Sequence, residues 1–81
     1  MTLRVLYFAS LRDRAGRREE TIDVPPGTRV LELWELLVAR HPPLREVTVR
    51  PMAACDLAYA PWDLVLDGVA EVAFLPPVSG G

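Results

Sequence analysis

The residues best suited to chemistry form the C-terminal segment Pro76-Pro77-Val78-Ser79-Gly80-Gly81. Its two prolines restrict the backbone at the start, whereas its two glycines carry no side chain and adopt many conformations. Fully extended, the segment would reach roughly 20 Å, at about 3.3 Å per residue. Such a tail could enter a narrow channel in another protein and deliver the carboxylate of Gly81 there. We expect Gly81 to react and the residues from Pro76 to Gly80 to thread the channel; a frayed, inert terminus is the alternative.

Few other side chains in the sequence offer chemistry. Cys55 is the only cysteine and has no basic neighbour that would lower its thiol pKa, so we expect a small buried hydrophobe. His41 stands before Pro42 at a predicted helix end, where a contact with the helix dipole explains it. A single histidine without a second ligand does not make a metal site. The Asp and Glu residues show no pairing typical of acid–base catalysis.

Composition describes one ordinary globular domain. The chain has 81 residues, of which 51% are hydrophobic and 25% charged, and its net charge of −2 is weak evidence against nucleic acid as a partner. A lone cysteine indicates a reducing compartment, and the sequence shows neither a leader nor an apolar run that could span a bilayer, so we expect a cytoplasmic protein. All nine basic residues are Arg, so no lysine amine is available for an isopeptide bond.

The first half of the chain predicts two strands that would pair with each other. Leu3–Ala9 is rich in β-formers and apolar on both faces after Arg4, which is typical of a central strand. Ser10–Arg18 is polar and predicts a connection with a short helical turn at Leu11–Arg14. Glu20–Val24 alternates polar and apolar residues, which indicates an edge strand pairing back on the first.

One helix is predicted with a broad apolar stripe. Pro25-Pro26-Gly27 ends the second strand, and Thr28 is well placed as a helix N-cap. Pro42 and Pro43 end the helix. The residues of the stripe recur at helical spacing and should face a sheet: Val30, Leu33, Trp34, Leu37, Val38 and His41.

The second half predicts two further strands. Met52–Ala60 is apolar enough for one, Pro61–Gly68 is typical of a loop, and Glu71–Leu75 is the last strand. The order β-β-α-β-β predicts an α+β fold in which one helix packs across a mixed sheet. The first and last strands should be central, parallel neighbours joined by a right-handed crossover.

The segment from Glu71 to Gly81 resembles the ending of the small subunit of molybdopterin synthase, the MoaD family of ubiquitin-like β-grasp sulfur carriers. The opening Val5-Leu6-Tyr7-Phe8-Ala9, followed by Leu11-Arg12 and Gly16, is also similar to that family. Some positions depart from its pattern: Leu75 replaces an aromatic residue, Val69-Ala70 replaces an acidic turn, and Cys55-Asp56 stands where Val-Asn is common. The resemblance implies a β-grasp domain over residues 1–75 and a flexible tail over 76–81.

The resemblance also implies a mechanism and a set of partners. An adenylating enzyme similar to MoeB would use ATP to activate the Gly81 carboxylate, and a sulfur donor would convert it to a thiocarboxylate. The large synthase subunit, in a heterotetramer, would let that sulfur attack cyclic pyranopterin monophosphate to form the molybdopterin dithiolene. The carrier would bind no cofactor itself, and its role would be that of a swinging covalent arm.

Candidate interface residues flank the tail. Phe74, Leu75 and Val78 could contact the large subunit, although alternation along a strand would also allow Phe74 to be core, with at least one of Phe74 and Leu75 facing outward. The arginines of one connection could meet an acidic patch on a partner or form a solvated loop; these are Arg12, Arg14, Arg17 and Arg18.

Two other functions are compatible with the same tail. A sulfur carrier for thiamine synthesis or tRNA thiolation, or a ubiquitin-like modifier of lysines, would also be activated at Gly81. A β-grasp binding module with an inert tail would not. Knowing which large subunit or adenylating enzyme copurifies would separate these readings.

Overall fold

The structure, a computed structural model, describes residues 1–77. A five-stranded mixed sheet has the order β2-β1-β5-β3-β4. No helix within residues 1–77 has the length and apolar character needed to cross a membrane. The elements are β1 (Thr2–Tyr7), α1 (Ser10–Ala15), β2 (Glu19–Asp23), α2 (Val30–Arg40), a 3-10 helix (Pro42–Glu46), β3 (Met52–Cys55), β4 (Ala58–Ala60) and β5 (Glu71–Leu75).

The two central strands are β1 and β5, which confirms the predicted parallel neighbours. Their register places Tyr7 opposite Phe74. On one side β2 pairs antiparallel with β1, and on the other side β3 pairs antiparallel with β5. Because β5 is in the middle of the sheet, the chain that follows Leu75 leaves from the centre of one sheet end.

The hydrophobic core lies between one face of the sheet and α2. Alternate residues of β1 and β5 point into it, and Phe74 is fully buried with its ring centroid 5.1 Å from that of Trp34 on α2. All six residues of the predicted stripe are buried or half-buried, so the placement of α2 across the sheet is confirmed. The fully buried core side chains from these three elements are Leu3, Val5, Val30, Leu33, Leu37, Val72 and Phe74.

The start of α2 differs from the prediction. Arg29, in extended conformation, is the N-cap, and its N–H donates to the Glu32 carboxylate at 3.0 Å. Thr28 was the wrong residue because its hydroxyl donates to the carbonyl of Pro25 at 2.7 Å. The turn that ends the preceding segment therefore uses the side chain that was expected to cap the helix.

The predicted strand Met52–Ala60 is wrong as a single element, because the structure has a hairpin there. Asp56 and Leu57 form its two-residue turn with φ of 49° and 73°, and Cys55 pairs with Ala58 on either side of it. The Asp56 carboxylate accepts N–H groups of the chain entering β5. Two-residue hairpin turns usually contain glycine, and its absence here explains why the sequence did not indicate the turn.

Candidate functional site

The root of the tail lies in a groove at the end of the central strand. Pro76 and Pro77 are half-buried there, between α1 and the segment 46–49, and line a cavity of about 210 Å³. Arg14 crosses from α1 to Glu46 with an N–O distance of 2.6 Å. Neighbouring packing therefore directs the first two residues of the tail as it leaves the sheet.

The remainder of the predicted site lies outside the described residues. Val78, Ser79 and Gly80 were expected to thread a channel, and Gly81 was expected to carry the reacting carboxylate. These roles stay predictions. The structure shows where the tail begins, at Pro76 and Pro77, and which surfaces surround these two residues.

An exposed apolar surface covers the side of the sheet that faces away from α2. We call this surface the outer face. It contains a cavity of about 290 Å³, and two of its larger side chains, Phe8 and Tyr59, are 45% and 69% exposed. Its apolar residues are Leu6, Phe8, Ala54, Leu57, Tyr59, Ala73 and Leu75. Exposed apolar surface of this kind, here beside the predicted reacting tail, is typical of a docking site.

The two candidate interface residues of β5 point in opposite directions. Leu75 lines the outer-face cavity beside the tail root and is half-buried. Phe74 is fully buried against Trp34 and Trp62, so its expected place at a partner interface is wrong and the core alternative is correct. The physical reason is strand alternation, since α2 covers the face on which Phe74 lies.

The arginines after β1 do not form one patch. Arg12 and Arg18 line a cavity of about 410 Å³ together with Arg4 and Phe8, and within residues 1–77 neither has an ion-pair partner. Arg14 instead pairs with Glu46. Because Phe8 lines both this cavity and that of the outer face, the cations of Arg12 and Arg18 border the apolar surface.

A buried carboxylate cluster on the side of the sheet that faces α2 was missed from the sequence. The Glu20 side chain is 6% exposed and accepts hydrogen bonds from the Tyr7 hydroxyl at 2.7 Å and from His41 Nε2 at 2.6 Å. Arg17 and Arg40 lie 3.7 and 3.6 Å from its second oxygen. The cluster joins β1, β2 and the end of α2, which is a structural role.

Electrostatics inside this cluster favour the ionised form of Glu20. Burial raises the pKa of its carboxyl, but the hydrogen bonds from Tyr7 and His41 and the nearby positive charges outweigh it, so the net pKa is lowered. Burial and the contact with Glu20 raise the pKa of Tyr7. One sequence signal could have revealed the cluster: Glu20 shares the face of β2 with the buried Ile22, so an acid points inward.

Cys55 and His41 have no chemical role in this arrangement. Cys55 is buried, as predicted, and burial followed by the charge of Asp56 raises the pKa of its thiol. His41 is engaged with Glu20, so a helix-dipole contact alone does not explain its position. Within the part of the chain that the structure describes, no group of three His, Cys, Asp or Glu residues could hold a metal ion.

Comparisons with known proteins agree with this architecture. The molybdopterin synthase sulfur carrier subunit of Homo sapiens is 40% identical over 80 residues, which cover 95% of this chain and 91% of the human protein. That of Mycobacterium tuberculosis is 37% identical over 78 residues, covering 95% and 94% of the two chains. The crystal structure of small archaeal modifier protein 1 from Haloferax volcanii superimposes with a TM-score of 0.83 at 27% identity, over all of both chains.

These similarities extend from the fold to the tail. The structural match confirms the predicted ubiquitin-like β-grasp fold, with one main helix on a mixed sheet. The model of the ThiS family matches residues 5–81, a range that includes the two final glycines. The chain therefore belongs to the ThiS family.

Proposed function

We propose that this protein is the sulfur carrier subunit of molybdopterin synthase and that Gly81 carries the sulfur as a thiocarboxylate. The observation that carries the proposal is the extent of the family match, which continues through the tail to Gly81. The relatives over the same span are named as this subunit. A cytoplasmic location fits the single cysteine, whose thiol is buried and unpaired.

The proposed chemistry takes place at the carbonyl carbon of Gly81. A free carboxylate is a poor electrophile, and ATP, used by an adenylating enzyme, turns it into an acyl-adenylate with a good leaving group. The outer sulfur of a persulfide donor displaces AMP and forms an acyl disulfide. A second thiol then attacks the donor sulfur of that S–S bond, which releases the thiocarboxylate of Gly81 and leaves the donor as a disulfide. The thiocarboxylate sulfur then attacks a carbon of cyclic pyranopterin monophosphate and displaces an oxygen substituent from it. Hydrolysis of the resulting thioester leaves the sulfur on the pterin and regenerates the Gly81 carboxylate. A dithiolene contains two sulfurs, so two loaded carriers are needed for each product.

The position of the tail supports a carrier role. The tail starts from a central strand, in a groove on one side and next to the outer face on the other. A protein that accepts the tail must approach this end of the sheet. We propose that the large synthase subunit does so by docking on the outer face around Leu75, with Arg12 at its polar border, and that two such pairs form the heterotetramer.

The central test is formation of the thiocarboxylate. The chain is incubated with the adenylating enzyme, ATP and a sulfur donor, and its intact mass is measured. The wild type should gain the mass of one sulfur replacing one oxygen, whereas a chain lacking Gly81 should not. Deletion moves the reacting carbon by about 3.3 Å, and an error of about 1 Å can lower a rate by about 100-fold.

Two controls make this test decisive. Circular dichroism should show that the deleted chain is folded, because Gly81 lies beyond the last strand. A chain extended by one residue after Gly81 should also stay unmodified. Equal thiocarboxylate formation by the deleted chain would contradict the proposal.

The docking surface is tested with Leu75→Glu. A carboxylate placed on the outer face should weaken binding of the large subunit strongly in calorimetry, because a charge would be buried without a partner. Leu36→Glu is the matched control, since Leu36 is 38% exposed on α2, on the opposite side of the sheet. Equal affinities for Leu75→Glu and the wild type would exclude docking through this surface.

A protein modifier is the second candidate function, favoured by the similarity to small archaeal modifier protein 1. In that case activated Gly81 would form an amide with lysines of other proteins. The chain has no lysine, so a second copy could not be attached to its side chains. Because the last arginine is Arg50, trypsin would leave a long C-terminal peptide of this chain on each target lysine. Mass spectrometry would detect these branched peptides, and their absence from cells that make molybdopterin would leave the carrier function alone.

A further inference from the structure

The tip of the β3–β4 hairpin contains a leucine where the backbone favours glycine. Asp56 and Leu57 both have positive φ, the pattern of a turn that is usually Asn-Gly or Asp-Gly. Aspartate suits the first position of this turn. Leucine at the second, with φ of 73°, brings its Cβ close to the backbone and is strained.

The fold explains Asp56 but does not explain Leu57. The Asp56 carboxylate accepts the N–H groups of Ala70 at 3.2 Å and Glu71 at 3.0 Å, which fastens the hairpin to the start of β5. Leu57 is 92% exposed, so its side chain buries almost no apolar surface in this molecule. Strain at an exposed residue without a stabilising contact points to a role outside the fold.

Leu57 lies at the far end of the outer face from the tail. It lines the same cavity as Leu75 and Phe8, which lie near the tail root. The register places Cys55 opposite Val72 and Met52 opposite Leu75. The Asp56 N–H donates to the Glu71 carbonyl, so four residues of strand separate the level of the hairpin tip from Leu75, a distance of about 13 Å.

We propose that Leu57 is an anchor that inserts into an apolar pocket of the large synthase subunit, about 13 Å from the mouth of the channel that receives the tail. The inference rests on the proposed function and names a specificity residue for that partner. A leucine held on a two-residue turn is presented in a restricted orientation, so little freedom is lost on binding. Leu57 and Leu75 belong to one continuous surface, the outer face, so both side chains would contact the large subunit together.

The test combines stability with affinity, and these should change in opposite directions. Leu57→Gly creates the preferred Asp-Gly turn, so its Tm should rise by about 4 °C. The same change removes the anchor, so the Kd for the large subunit should increase by at least about tenfold. Leu57→Met keeps a long apolar side chain and should retain an affinity near that of the wild type. Leu36→Ala, on α2, should leave the affinity unchanged.

The outcomes separate this inference from the proposed function. If wild type binds the large subunit and Leu57→Gly binds equally well, the anchor is refuted while the carrier function stands. If wild type does not bind, the proposed function itself fails, and the anchor with it. A lower Tm for Leu57→Gly would refute the argument from strain.

Discussion

Replacing Glu20 with glutamine removes one charge from the buried cluster and keeps nearly the same shape. In the wild type the carboxylate accepts hydrogen bonds from Tyr7 and His41 at 2.7 and 2.6 Å. A hydrogen bond to a charged acceptor contributes about 1.5–3 kcal/mol, against about 0.5–1.5 kcal/mol for a neutral one. Two bonds weakened in this way lower the free energy of unfolding by about 2–3 kcal/mol.

The arginines of the cluster add little to this value. Arg17 and Arg40 lie 3.7 and 3.6 Å from Glu20, but their side chains are 49% and 48% exposed, so solvent screens each pair. The matched control is Glu19→Gln on the same strand. The Glu19 side chain is 51% exposed and pairs with the exposed Arg4. Removing its charge should therefore lower the free energy of unfolding by only about 0–1 kcal/mol.

The pH dependence of the Glu20 effect follows from the direction of its pKa. The folded pKa lies below the ordinary value of 4.5, so the stabilisation is complete above about pH 4.5 and is lost as the pH falls through the lower, folded value. Urea titrations should therefore show the full difference in the free energy of unfolding between wild type and Glu20→Gln at pH 7. This difference should become smaller in more acidic buffer. The reasoning would be refuted if Glu19→Gln and Glu20→Gln lowered the free energy of unfolding equally at pH 7. It would also be refuted if the difference between wild type and Glu20→Gln did not change with pH.

Three further predictions concern the core, the hairpin and the thiol. Leu33→Ala removes a fully buried side chain facing the sheet and should lower the free energy of unfolding by about 2–5 kcal/mol in chemical denaturation; an unchanged midpoint would contradict the packing of α2. Asp56→Ala leaves two backbone N–H groups to solvent and should cost about 1–2 kcal/mol, with faster amide exchange at Glu71 as the readout. The buried Cys55 thiol, whose pKa is raised, should react with a maleimide much more slowly in the folded chain than in urea, and equal rates would contradict its burial.

Local patterns in the sequence determined the elements that carry the function. Glu71–Leu75 was predicted with the bounds that the structure has. Its apolar residues indicate a strand, and the two prolines that follow cannot continue the hydrogen bonding of a sheet, so the strand ends at Leu75. The stripe of α2 was also predicted, since its period identifies a helix and the face it buries. The tail was identified as the candidate reacting segment from composition and from its resemblance to a known family.

Only the tertiary structure decided which surfaces surround that tail. Alternation required Phe74 and Leu75 to face opposite ways, but only the side on which α2 packs determines that Phe74 is core and Leu75 belongs to the outer face. The Glu20 cluster joins residues that are 13 and 21 positions apart, so no local window contains it. Leu57 became a candidate anchor only once the hairpin placed it in a strained and exposed position. Periodicity reports what each segment can bury, whereas contacts between distant segments decide what stays exposed to a partner.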